Sequence, residues 1–553
     1  MADEKFDAVV IGGGNKGLVT AMYLTKYGGM KTGVFEVRHE AGGGWSTEEV
    51  AAPGFTFNTH STGHCTYYYE LLWEDFPDFK EKGGELLHGK ASTGGIFIED
   101  HSALLFYNRV NDLDWEKTAA SAAKFSKRDA EALIGFGRVW DEHIYPEFLR
   151  WIWTPPVAGQ PDPFFENVLK RAPKGAIDPS WENKSLKQIC DELFESIEVK
   201  CAVYRGAYSY WGAPAHIQGN GWHILVNSMG GSREFGLVRA GSHSSAHAAQ
   251  KIVVENGGEI FTRAEVDKVI IENGKAKGIR LMDGSVIEAK VVISTLTPEL
   301  LCTRLIGEEY LPRSMIMKVK ALTAFYSAGV WWDAWALHEP PNYKGAEFDP
   351  DVNETAFIAL MDKDPWGLSR EFWKRKLGRE WPGAPLIEGF PNCWSPSIPS
   401  VGDSSQAPPG KCSAGNELYT CAADVFTEKE WNSFKKPHAD FVLDMWSKFA
   451  PNMTWDNVIG YRIDSPWDIT HRLRQTPVNG CWSLLDCVSS QVGWYRPMME
   501  LSDHRTPING LYGTGSSWHP LAGALAVGGY NCYQVIAEDL GLRNPKDEKN
   551  RPY

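Results

Sequence analysis

The residues of this 553-residue chain that could do chemistry gather towards its two ends. Near the start, FDAVVI (6–11) runs into GGGNKG and then LVTAMYLTKYG. A short apolar run, a glycine cluster and then apolar residues at helical spacing predict strand, turn and helix. Gly12, Gly14 and Gly17 fit G-x-G-x-x-G, and Glu36 ends the next strand-like run, TGVFE, 22 residues after Gly14. Gly12 permits the tight turn, Gly14 lets backbone approach a pyrophosphate, and Gly17 lets helix and strand pack closely. The phosphates then sit on the positive end of the helix, and Glu36 accepts hydrogen bonds from ribose hydroxyls. A bare glycine pattern is also an ordinary turn. The strand before it, the helix after it and the acid at this distance favour a dinucleotide.

Further along come Gly42, Gly43 and Gly44, followed by Trp45 and Ser46. A second glycine cluster soon after the ribose acid typifies enzymes of FAD rather than NAD dehydrogenases, which nominates Gly43, Gly44, Trp45 and Ser46 as cofactor contacts with Asn15. Candidate bases follow, since histidine ionises near neutral pH. They are His60 and His64 after the glycine cluster and His519 near the C-terminus, with Tyr67, Tyr68 and Tyr69 as weaker candidates. Each histidine also reads as an ordinary structural residue. The stretch GSSWHPLAGALAVGG (515–529) carries more small side chains than packing of a final helix requires. No Ser-His-Asp constellation, HExxH helix or metal-ligand spacing suggests another chemistry.

The elements that position these residues follow from length and composition. A chain this long exceeds a single core, so two intimately packed domains are expected. The net charge is −14 with no basic block, which argues against nucleic acid. MADEKFDAVV lacks the basic start of a signal peptide, no run approaches a membrane span, and the ten cysteines are scattered. A cytoplasmic protein with reduced thiols is expected. Peripheral membrane contact through FLRWIWTPP (148–156) stays open beside a core or lid role. The 23 tryptophans, roughly three times ordinary usage, fill a core or line an apolar cavity. Trp331, Trp332 and Trp335 in a strand-like run pose that choice directly.

The glycine motif, the second glycine segment and PGFTFN (53–58) resemble the phytoene desaturase-like flavoproteins, which usually read GGGHNGL where this chain has GGGNKGL. The likeness returns in 238–298, a predicted helix and β-meander with Asn273-Gly274 and Asp283-Gly284 turns, and in 394–411, 465–468 and 495–515. It implies an α/β architecture: a Rossmann-like FAD-binding domain of the amine-oxidase type from 1–84, 236–309 and 456–553, with an interleaved α+β substrate domain from 85–235 and 310–455. The resemblance also implies an adenine contact at Val266 and flavin contacts at Gly515, Pro520, Leu521, Ala522 and Gly523. Family members usually read T-H-P-G-G-G at that last segment, so Leu521 and Ala522 depart from it.

The activity implied is hydride removal from an allylic C–H bond of an apolar isoprenoid, ending in desaturation or in hydroxylation by water. With a single dinucleotide fingerprint, the electron acceptor is expected to be quinone, oxygen or a carrier protein. A homo-oligomer or pairing with a homologous subunit stays open. Two other readings share the fold: an amine-oxidase-like flavoenzyme and a non-catalytic prenyl-binding protein of the GDP-dissociation-inhibitor kind.

Overall fold

The computed structural model describes residues 4–211, 215–324, 329–365, 367, 369, 392–395, 398, 401–474, 483–521, 523 and 525–553. Among them, strand Glu4–Ile11 is the axis of a seven-stranded sheet. It pairs in parallel with Thr32–Phe35 on one side and Val286–Ser294 on the other. Glu259–Phe261 extends the first side, and Leu511–Gly513 pairs in parallel with Val286–Ser294. Such strands need cover on both faces, which explains the unbroken AVVI run. Helix Asn15–Lys26 and the closing helix Val527–Leu540 supply it on one face, packing on each other through Gly529, where a Cβ would lie 2.5 Å from the Lys16 carbonyl. The expected meander is present, Val266–Glu272, Lys275–Leu281 and Val286–Ser294 running antiparallel. Asn273 and Gly274 both have positive φ, as a tight hairpin turn requires.

A second seven-stranded sheet runs in the order Val458–Asp464, Gly329–Leu337, Cys412–Thr420, Asn392–Trp394, Phe357–Met361, Thr93–Phe97, Ala103–Phe106. Helix Glu428–Phe449 covers one face; its N-terminus is fixed by a reciprocal Thr427–Glu430 capping box. Strand Val458–Asp464 belongs to this sheet, antiparallel to Gly329–Leu337, so a boundary at 456 does not follow the sheets.

Alternation along Gly329–Leu337 resolves the tryptophan question. Trp331 and Trp335 point into the second core, where Trp331 stacks on His438 at 4.3 Å between ring centroids and Trp335 on Tyr461 at 5.5 Å. Trp332 points the other way, into the space between the sheets, and donates from Nε1 to the Asn58 carbonyl at 2.8 Å. FLRWIWTPP is core as well. Most of it lies in helix Tyr145–Trp153, whose Phe148, Trp151, Ile152 and Trp153 are buried, and the Ile152 and Trp153 carbonyls accept from Asn531 and Gln534 of the closing helix. Its aromatic residues are therefore not on offer to a lipid surface. Among the described residues no helix is long and apolar enough to cross a membrane.

Candidate functional site

The glycine turn is shaped by the protein at two positions and left open at two others. Gly12 has φ +92°, and a Cβ there would sit 2.2 Å from Thr295 Oγ1. A Cβ on Gly17 would sit 2.2 Å from the Gly12 carbonyl and 2.9 Å from Thr295 Cγ2. Both glycines are thus required by packing between the helix and the strand ends. Gly14 differs, with φ −67° and Gly43 Cα as its nearest neighbour to a Cβ, at 3.9 Å. Gly44 has nothing within 4 Å. Nothing in the protein itself requires glycine at Gly14 or Gly44, yet both line one long cavity. Their missing side chains leave a cradle.

Helix Asn15–Lys26 opens on this cradle with no side-chain cap and no acid in its first turn. Its positive end is therefore left to an anion. Glu36 is buried beside the turn, and its carboxylate holds the loop together, accepting from Gly13 N at 2.7 Å and from Arg38 N at 2.8 Å. Each oxygen retains a lone pair for a ribose hydroxyl. The segment before Val266 docks here too: Ala264 N donates to the Glu36 carbonyl and Arg263 N to that of Arg38. Val266 itself is buried in the core behind the meander and does not line the cavity.

From Gly14 the cavity runs past Gly43, Gly44, Gly515, Leu521 and Gly523 to the second sheet, enclosing about 1870 Å³ of non-protein space, its mouth included. Its far walls are apolar and include Phe106, Phe235, Phe357, Met361 and Trp332, with Arg205 and Glu417 as the charged exceptions. Asn15 lines it near the helix start. Gly515 is shaped by packing, since at φ +117° a Cβ would lie 2.3 Å from the Thr295 carbonyl. Pro520 is buried, accepts from Gly493 N at 3.1 Å and is not in the cavity wall. Ala522 lies outside the described residues. Trp45 and Ser46 stand behind the wall: Trp45 stacks on Tyr69 at 5.8 Å and Ser46 Oγ bonds Thr59 Oγ1 at 2.7 Å.

The three histidines separate cleanly. His64 is wholly buried, with Nδ1 bonded to the Tyr69 hydroxyl and Nε2 to Ser61 Oγ, and burial pushes its pKa down to about 3. His519 is also buried out of the cavity, with Nδ1 on the Gly493 carbonyl and its pKa lowered by desolvation to about 3. Both nitrogens of His64 are spent on the fold. His60 lines the cavity, and its Nε2 has no hydrogen-bond partner among the described residues. Burial first, and then the charges of Arg472 and Arg38, hold His60 well below the usual imidazole range, so it is neutral. Of Tyr67, Tyr68 and Tyr69, only Tyr68 reaches the cavity.

Sequence reasoning passed over Lys16, which it treats only as a departure from a motif, and Arg496. Lys16 lines the cavity and is buried, donating from Nζ to Ser516 Oγ at 3.1 Å and to the Gly523 carbonyl. Arg496, also buried, donates to the carbonyls of Ser483, Gln491 and Ser516. The signal for Lys16 was available, because a lysine in the first helical turn after a phosphate-type glycine loop is misplaced for the helix dipole.

The fold and this cleft join a Rossmann-like sheet, through a glycine-lined turn, to an apolar chamber. Residues 10–79 match the NAD(P)-binding Rossmann-like domain family. The chain is 28% identical over 97% of its length to pyridine nucleotide-disulfide oxidoreductase domain-containing protein 2 of Mus musculus, of which it covers 94%. It is 27% identical to one of the subunits of limonene dehydrogenase from Castellaniella defragrans, with 97% of this chain and 95% of that one aligned. A 4,4'-diapophytoene desaturase of a Methylomonas species matches at 31% over 52% of each chain. Among solved structures, an oxidoreductase from Methanosarcina mazei superposes with TM-score 0.59 at 16% identity, covering 97% of this chain and 100% of its own. Cyclohexylamine oxidase from Brevibacterium oxydans gives TM-score 0.56 at 14% identity, with 97% and 99% covered. These likenesses support a relationship to the phytoene desaturase-like flavoprotein oxidoreductases.

Proposed function

We propose that the protein binds FAD and removes a hydride from an allylic C–H bond of an apolar, terpene-like substrate. The observation that carries the reading is the pairing of Gly14 and Gly44, glycines the protein does not itself need, with an apolar chamber continuous with them. The residues fit the cofactor: a glycine cradle on an uncapped helix start, a buried carboxylate at Glu36 and two buried cations at Lys16 and Arg496. Gly12, Gly14, Asn15 and Gly17 would hold the pyrophosphate end, Glu36 the adenosine end, and Gly43, Gly44, Gly515, Leu521 and Gly523 the flavin end. Bound FAD supplies a hydride acceptor.

The chain's own part is to orient the substrate and manage charge. Loss of hydride leaves a delocalised allylic cation, which the face of Trp332 and the phenylalanine walls stabilise by cation–π attraction. His60, neutral, lining the cavity and with Nε2 free of any hydrogen-bond partner among the described residues, takes a proton: from the carbon next to the cation for desaturation, or from an attacking water for hydroxylation. The electrons leave to quinone, oxygen or a carrier protein. The likeness to a named subunit of a limonene dehydrogenase supports a terpene as substrate and a second subunit as partner. It favours this reading over an amine oxidase, whose resemblance here is one of fold alone.

The test is anaerobic mixing of the flavin-loaded protein with limonene and, separately, with a primary amine. Bleaching by the terpene, with a product heavier by one oxygen or lighter by two hydrogens, supports the proposal. Bleaching by the amine alone rejects it.

A further inference from the structure

Lys16 stands where every local influence disfavours its charge. It is in the first turn of helix Asn15–Lys26, at the positive end of the dipole. It is 2% exposed, and the nearest charge acting on it is another cation, Arg496. Gly528 and Gly529 of the closing helix pack against this residue, Ser516 Oγ and the Gly523 carbonyl accept from its Nζ, and the Glu36 carboxylate accepts from Gly13 N and Arg38 N. Asp486 and Cys487 act on Arg496 rather than on the lysine. Neither Lys16 nor Arg496 has an ion-pair partner among the described residues. A buried lysine that lines the cavity between the glycine cradle and Gly523, with no carboxylate acting on it and the Arg496 guanidinium as its charged neighbour, forms a site built for an anion that the protein does not itself provide.

Resting on the proposal that this cleft holds FAD, we propose that Lys16 is the counter-ion of the bound cofactor and takes up one proton from solvent as the anionic diphosphate enters. The step balances simply: neutral amine plus a solvent proton gives ammonium, matched by the cofactor's negative charge. Desolvation, with a contribution from Arg496, lowers the Lys16 pKa to about 7 in the empty cleft. The direction of the pH dependence follows. Above that point the free lysine is mostly neutral and must be protonated on binding, whereas below it the lysine already carries its proton. Uptake therefore grows with rising pH, from about 0.1 proton per FAD at pH 6 to about 0.9 at pH 8.

The experiment is calorimetric titration of FAD into the full-length protein freed of flavin, at both pH values and in buffers of different ionisation enthalpy, with flavin absorbance reporting binding independently. Wild type is expected to take up close to one proton at pH 8 and almost none at pH 6. Lys16→Arg, permanently charged, is expected to bind FAD with no pH-8 uptake. Lys16→Met is expected to bind about 10- to 100-fold more weakly, also without uptake. Wild type binding FAD at pH 8 without proton uptake overturns the proposal, as does undiminished uptake by either variant. Failure of wild type to bind FAD at all is a different result, and it removes the cofactor reading on which this inference rests.

Discussion

Trp332 Nε1 donates to the carbonyl of Asn58 at 2.8 Å, joining a central strand of the second sheet to the loop that carries His60. The same indole lines the cavity. One side chain thus fixes the separation between the apolar chamber and the only one of the three nominated histidines that reaches it. The second sheet is thereby tied to the segment that carries His60.

His60→Asn is expected to lower kcat by about 10²- to 10⁴-fold while leaving flavin content unchanged. His60 is held neutral by burial, so kcat/KM of the wild type is expected to stay flat from about pH 8 to about pH 6, where an unburied imidazole near 6.5 would already be losing its basic form. A steady-state pH profile decides this. An acidic limb centred near 6.5 would show that His60 titrates freely.

His64→Ala and His519→Ala are expected to act on the fold instead. Each removes a buried hydrogen-bonded ring, so each should cost about 1–3 kcal/mol of stability. Thermal unfolding checks it: both variants should melt early, whereas His60→Asn should melt close to wild type.

Gly17→Ala places a methyl 2.2 Å from the Gly12 carbonyl and is expected to destabilise the turn by about 1–3 kcal/mol even without cofactor. Gly14→Ala meets no protein atom closer than 3.9 Å and is expected to melt normally yet lose flavin. Comparing melting temperature with bound flavin separates the two glycines. Equal destabilisation would mean that Gly14 serves packing rather than a ligand.

The contrast between those glycines marks how far the sequence could be read. G-x-G-x-x-G with Glu36 foretold strand, turn and helix, because local backbone requirements are written in residue type. The hairpins at Asn273 and Asp283 were legible for the same reason. The faces of Trp331, Trp332 and Trp335 were not, since the direction of alternation depends on which sheet face meets the cavity. The histidines were indistinguishable too, because what separates them is which one lines the cavity and which are held behind it by Tyr69 and the Gly493 carbonyl. Val458–Asp464 joins the second sheet by pairing with a strand more than a hundred residues earlier, a long-range choice that spacing does not encode.

Trp332→Phe keeps the ring but loses the bond to Asn58. It is expected to cost about 1 kcal/mol and to raise KM more than it lowers stability, while Trp335→Ala, in the second core, is expected to cost about 3–5 kcal/mol with little change in KM for the protein that stays folded. Denaturant unfolding alongside steady-state kinetics tests both variants. A large KM effect at Trp335 would place the substrate on the other side of the sheet.

The glycine cradle and the apolar chamber are proposed to serve one hydride transfer from an isoprenoid. Its most direct test is the absorbance of the FAD-loaded protein when limonene is added without oxygen. The flavin band is expected to bleach, with one equivalent of product carrying an added oxygen or lacking two hydrogens. A protein that remains colourless after FAD addition, or a flavin that bleaches with amines and not with terpenes, would contradict it.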